Sequence, residues 1–360
     1  MNDLTMWQDA AREDLVTVHR IKPPASYDVP IEATDEGTLA DVDLSQCSIT
    51  WSAETDTRVS GTIARLGAWD KDVDWLEIRL SCPAYSYDKP LAILIPNRIT
   101  ETHGGVHGAG KSNVTTTINA ESVLWALSKD DVTPCLVIDS GTTYSYAMGK
   151  IAGKWLSYET KTLATSTPIV YEEGTSRLDM LYDLAAKDLD RLDVSATGQV
   201  TLTAKATYTK TDPVWAVSAL DSRSIVLADS DSVSVAFGDN PSHVTVKNDD
   251  TDSPLAATNE VPSGAASRAA RGYVSTKTYT LSSSTIASSS DAAAAALLYV
   301  EEAEAVPITR TISTLYFPVK AGECITYTDV DGTAKTYRVK EKTLQLGTMT
   351  QDLKLEEVSS

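Results

Sequence analysis

Phenylalanine is almost missing from this sequence, at 2 residues among 360. Positive charge is short as well: 31 Lys and Arg stand against 50 Asp and Glu, a net charge of −19. Such a surface is ill suited to duplex DNA or an anionic membrane, since both call for surplus Lys and Arg. Histidine and cysteine are scarce too, with 4 of each. Cys47, Cys82, Cys135 and Cys324 lie far apart with no Cys-x-x-Cys pair. That spacing argues against a zinc site or a disulfide framework and for reduced, mostly buried thiols. Long apolar runs are also missing. Leu91–Ile95 and Ala292–Val300 are the longest, far below the roughly 20 residues that span a bilayer. Near the start, Asp3, Asp9, Glu13 and Asp14 stand where a secretory signal carries Lys or Arg, so a soluble chain without a signal peptide is expected.

What is present favours strands. Thr, Val, Ser and Tyr are plentiful, and 18 Gly with 14 Pro punctuate the chain often. Many short strands follow from that texture. Apolar residues make up 42% and charged residues 22%, a globular composition with enough length for two or three domains.

Periodicity sets the expected organisation. Residues 1–44 read as an N-terminal helix, with Leu4, Trp7, Ala11 and Leu15 on one stripe, followed by an extended acidic arm. Residues 45–171 read as a first antiparallel β-barrel-like domain, with alternation at Ser48–Ser52, Arg58–Leu66, Trp75–Ser81 and Leu91–Ile95. Within it, Leu136–Met148 suggests a hairpin around Ser140-Gly141. Residues 172–222 form a small α+β insertion. Its helix carries Leu178, Leu181, Ala185 and Leu189 on one face, and a hairpin turns at Thr197-Gly198. Residues 223–360 read as a second β-barrel-like domain, with a long polar loop over 248–271 and an Ala-rich helix over 291–304. The expected class is therefore mainly β, two barrel-like domains flanking a helix-plus-hairpin piece.

Few motifs carry chemistry. Gly105-Val-His-Gly-Ala-Gly110-Lys111-Ser112 matches the phosphate-loop spacing, in which backbone N–H groups and Lys111 hold phosphate and Ser112 holds Mg²⁺. Its surroundings argue against an NTPase: Ile99-Thr-Glu-Thr-His precedes it and β-branched Asn113-Val-Thr-Thr-Thr follows, so a strand-to-helix turn is not expected. His103 and His107 flank two glycines and lack a third ligand. Asp70–Asp74 begins like a calcium loop, but Trp75 and Ser81 occupy the positions that need Gly and Glu. Asp229/Asp231, Asp249–Asp252 and Asp329/Asp331 lack a ligand frame, and Asp329-Val-Asp-Gly332 reads as a hairpin turn. No catalytic residue, cofactor-binding residue or metal ligand is assigned, and no enzyme activity is expected.

Element order carries a further signal. Arg58-Val-Ser-Gly-Thr-Ile and Leu76-Glu-Ile-Arg-Leu come first, then Ser176-Arg-Leu-Asp-Met-Leu-Tyr-Asp-Leu-Ala and Leu192-Asp-Val-Ser-Ala-Thr-Gly-Gln-Val-Thr-Leu. His243-Val-Thr-Val, an Ala-rich helix, Val319-Lys-Ala-Gly-Glu-Cys-Ile and Tyr337-Arg-Val follow. From about Asp41 to Val358 this order resembles the baseplate-hub (tail-hub) proteins, the minor tail proteins of long-tailed, siphovirus-like bacteriophages. The resemblance implies a structural virion protein at the tail tip, assembled in the host cytoplasm as a homotrimer. Two β-barrels per subunit would adapt the hexameric tail tube to threefold tip proteins and let DNA pass through the lumen. The implied partners are the distal tail protein or tube ring, the C-terminus of the tape-measure protein, and tail-tip or fibre proteins, with no membrane insertion. No lysozyme or peptidase module is visible. Two other readings stand beside it, a carbohydrate-binding or depolymerising tail-tip protein and an NTPase using Gly105–Ser112.

Overall fold

The computed structural model describes residues 4–9, 12–32, 35–69, 74–104, 113–157, 164–165, 167–187, 190–204, 211–221, 224–235, 240–250, 252–263, 266–281, 286, 288–304 and 308–358. The chain divides into two compact units, Met1–Ser230 with Ile312–Ser360, and Asp231–Thr311.

The larger unit begins with strands. β1 (Leu15–Ile21) and β2 (Asp35–Thr38) pair with each other, and β3 (Ser48–Ser52) and β4 (Val59–Leu66) form a hairpin. β5 (Trp75–Cys82), β6 (Tyr87–Gly104) and β7 (Asn113–Glu121) continue as an antiparallel meander. The expected N-terminal helix is absent among the described residues. Residues 5–8 make one turn closed by Trp7 N–H on Leu4 O at 2.8 Å, and Leu15 opens β1 instead. Tertiary packing overrides the stripe: Trp7 is held edge-on between Tyr87 and Tyr316, while Val16, Val18 and Ile21 suit a strand pairing with β5.

The helical part starts earlier than residue 172. α1 (Val123–Ser128) is capped by Ser122, whose Oγ accepts from Leu124 N–H at 3.3 Å. After β8 (Leu136–Ile138), the expected hairpin is replaced by α2 (Tyr144–Ala152). Thr143 caps it, and Ala147, Met148, Ile151 and Ala152 bury one face, a 3.6-residue pattern that overrides the turn signal at Ser140-Gly141. β9 (Leu156–Ser157) and β10 (Ile169–Tyr171) follow, then α3 (Arg177–Lys187). The hairpin β11 (Asp190–Val194) and β12 (Val200–Ala204) turns at Gly198, φ +76°. These elements share one core, in which Leu124, Met148, Leu181, Leu184 and Leu192 are fully buried. Ile21, Trp75, Ile93 and Ile95 of β1, β5 and β6 join the same core, and Leu189 lies outside the described residues. β13 (Pro213–Ser218) then returns toward the sheet.

The smaller unit holds β14 (Ser232–Val235) and β15 (His243–Asn248). The expected loop over 248–271 contains structure: β16 (Ala256–Glu260) pairs with β15, and α4 (Arg268–Arg271) is capped by Ser267. Asn248 starts the connecting turn, accepting from Leu255 N–H at 2.9 Å and donating to Ser253 O at 3.0 Å. β17 (Thr276–Leu281) and α5 (Ser289–Glu304) complete a core around Val244, Val246, Ala292 and Ala296. β18 (Ile308–Leu315) then begins, its first residues paired with β14.

β19 (Cys324–Thr328), β20 (Ala334–Gln345) and β21 (Thr350–Glu357) finish the larger unit. β20 pairs with β3 as well as β21. Residues near both ends of the chain therefore share one ladder, in the order β18-β21-β20-β3-β4-β7-β6-β5-β1-β2, with β19 and β13 branching off β20. The fold is mainly β, as expected. The two expected barrels are not seen as closed ladders among the described residues; two arms of one open sheet meet at the β20–β3 edge. A single core runs beneath both arms, including Ile63, Ile78, Ile118, Phe317, Tyr327 and Leu353.

Candidate functional site

A cavity of about 810 Å³ opens in the larger unit, beside the place where β20 meets β3. Its floor comes from a cross-strand row in which Lys342 pairs with Trp51, and Trp51 with Val59. A bulge between Val339 and Glu341 shifts the register of β20. Tyr337 and Val339 point into the core before the bulge, and Lys342 and Leu344 after it. Without the extra residue, Glu341 would take the inward position. Lys342 is 5% exposed. Its ammonium donates to Val319 O at 2.9 Å and lies 4.1 Å from the Trp51 ring centroid and 5.5 Å from that of Tyr316. Burial pushes its pKa down to about 7, with the Glu323 carboxylate opposing and Lys320 adding to the shift.

Arg58 forms a second cationic wall. It ends the β3–β4 turn at φ +61°, a left-handed conformation that costs a side-chain-bearing residue free energy. Its Nε donates to Leu192 O at 3.1 Å and its Nη1 to Ala53 O, tying the turn to the β11–β12 hairpin. Arg191 faces the same space, paired to Asp193 at 2.9 Å. Gly322 leaves room for it: a Cβ there would stand 2.7 Å from Arg191 Nη1. Asp193, Asp212 and Glu323 are the lining carboxylates, and the Glu323 carboxylate accepts from Lys320 N–H at 2.9 Å. Four cations against three carboxylates line a cavity in a chain whose net charge is −19.

Behind the aromatic wall lies a buried polar cluster. Tyr316 and Tyr87 share a hydrogen bond, and burial raises the Tyr316 phenol far above its ordinary range. Arg12 and Asp14 form an ion pair at 2.6 Å with side chains 6% and 8% exposed, and Arg12 sits 4.7 Å over the Trp7 ring.

The motifs read from sequence fall elsewhere. Gly105–Ser112 and His107 lie outside the described residues. Their flanks are β6 and β7, an antiparallel pair in which Gly104 opposes Asn113, and β7 is a strand where a phosphate loop would open a helix. His103 is exposed, 3.9 Å from Glu101. Of the calcium-like run, residues 70–73 are outside the described part, and Asp74 pairs with Arg20 at 2.6 Å. Asp231 is held by both Nε and Nη2 of Arg310. Asp250 closes a turn on Asp252 and Ser253, and Asp329 accepts from Asp331 and Thr333 N–H groups in a tight turn with Gly332 at φ +83°. Among the described residues, no cluster of three or more His, Cys, Asp or Glu is placed to hold a metal. Cys47, Cys82 and Cys324 are buried, Cys135 is exposed, and none is in a disulfide.

No local sequence pattern announces the cavity beyond the Lys340-Glu-Lys342 run inside an otherwise alternating strand.

Solved structures share this architecture. The tail protein from Neisseria meningitidis superposes with a TM-score of 0.62 at 14% identity, covering 96% of each chain. The 43 kDa tail protein of prophage MuSo2 from Shewanella oneidensis gives 0.61 at 10% identity, over 96% of this chain and 98% of that one. Prophage tail protein gp18 from Listeria monocytogenes gives 0.50 at 10% identity, over 95% and 94%. No family pattern and no curated protein matches the sequence. The fold is that of these tail proteins along nearly its whole length.

Proposed function

We propose that this chain is a non-enzymatic structural subunit of a phage-type tail, a baseplate hub at the distal end. The observation that carries this reading is the fold shared with two tail proteins over 96% or more of both lengths. A chain resembling only a module would leave part of either partner uncovered.

In this reading three copies form a ring in the virion. The two arms of the open sheet, joined where β20 pairs with β3, are the two tube-matching β regions of each subunit. Three copies then offer six such regions to a sixfold tube or distal-tail ring, while threefold tip or fibre proteins bind on the other side. The C-terminus of the tape-measure protein would occupy the lumen. The charge of −19 suits a lumen that DNA crosses without sticking, because acidic walls repel phosphate.

Light scattering on the purified chain tests the ring. The expected mass is three times 38.7 kDa, and mixing with tail-tube or distal-tail protein should give a larger complex. A strict monomer at every concentration that joins no tail ring would refute the hub.

A further inference from the structure

We infer that the cavity at the β20–β3 junction is a binding site for a carboxylate carried on an aromatic or apolar body. This site is separate from the assembly role proposed above. Its size falls within the range of about 300–1,000 Å³ typical of small-ligand pockets. Two of its cations, Lys342 and Arg58, are 5% and 9% exposed, and neither has a carboxylate within ion-pair distance among the described residues. Lys342 has one backbone carbonyl and two aromatic faces, and Arg58 has two backbone carbonyls and the Tyr182 ring, 5.6 Å from its Cζ. Buried cations are ordinarily matched by an anion, because desolvation without a counter-charge is costly. Of the lining acids, Asp193 pairs with Arg191, and Glu323, which accepts the Lys320 N–H, acts on Lys342 only as a nearby charge and not as an ion-pair partner.

The apolar half of the ligand is set by the remaining wall. Trp51, Tyr87, Tyr316, Pro90, Leu91 and Pro318 present rings and aliphatic groups to the same space. A carboxylate meeting Lys342 would lay an attached ring against Trp51 and Tyr316. A peptide C-terminus ending in an aromatic residue and a free aromatic acid share this chemistry.

The test is calorimetric titration of the full chain with phenylacetate and with its neutral counterpart phenylacetamide. Phenylacetate should saturate one site per chain. Phenylacetamide should bind at least about tenfold more weakly, the worth of one charge-assisted hydrogen bond. Lys342→Met should lose about the same factor, whereas Lys335→Met, which breaks an exterior pair with Glu357, should not change affinity. If Lys342→Met does not fold, the wild-type profile decides: affinity should fall by roughly tenfold between about pH 6 and about pH 9 as the ammonium loses its proton. Acetyl-Gly-Phe with a free carboxylate separates the two sources. Tighter binding than phenylacetate assigns a peptide end, and equal binding assigns a small acid. Equal affinity for phenylacetate and phenylacetamide, a pH-independent affinity, or no saturation below about 10 mM would overturn the site.

Discussion

Replacing Lys342 by methionine exposes the energetics of the cavity floor. The lysine pKa is pushed from 10.5 to about 7 by burial. Its folded pKa is therefore below its unfolded value, and between those values the unfolded chain binds more protons. Stability from this group must rise as pH increases from about 7 toward the unfolded pKa, and fall on acidification. With those two values, linkage gives a gain of about 2 kcal/mol between about pH 7 and about pH 9. Methionine keeps the length and apolar stem without the charge, so the variant should lack this component. The assay is urea unfolding of wild type and Lys342→Met at both pH values, followed by tryptophan fluorescence. On going to the higher pH, wild type should gain about 2 kcal/mol of stability relative to Lys342→Met. Identical pH slopes in both proteins would refute a lysine whose charge is suppressed by burial.

Other substitutions probe the frame around the site. Gly153→Ala puts a Cβ 2.3 Å from Tyr27 O at φ +57°, and a loss of about 2–4 kcal/mol is expected in thermal unfolding. Trp7→Ala empties the slot between Tyr87 and Tyr316 and should cost about 3–5 kcal/mol by urea unfolding. Asp14→Asn leaves the buried Arg12 guanidinium without its carboxylate. A loss of about 3–5 kcal/mol is expected by the same assay, and Arg12→Met combined with Asp14→Asn should recover part of it.

Local pattern revealed what local physics decides. α3 follows from its apolar stripe, the β11–β12 hairpin from Thr197-Gly198, and the Asp329 turn from Asp-x-Asp-Gly. Where the sequence reading failed, distant contacts outweighed local preference. Leu4–Leu15 carries a helical stripe, but Trp7 is claimed by Tyr87 and Tyr316, and Val16–Ile21 by β5. The pairing of β20 with β3 joins residues almost 300 positions apart, and no periodicity within either strand announces it. The cavity depends on that same pairing and on a one-residue bulge that turns Lys342 inward. Both are properties of register, which alternation alone does not fix.

Electron microscopy of tailed particles labelled with an antibody to this chain tests its proposed place in a phage-type tail most directly. Label concentrated at the distal end of the tail, away from the capsid, is the predicted result. Particles that carry no label, from cells in which the chain is abundant, would contradict it.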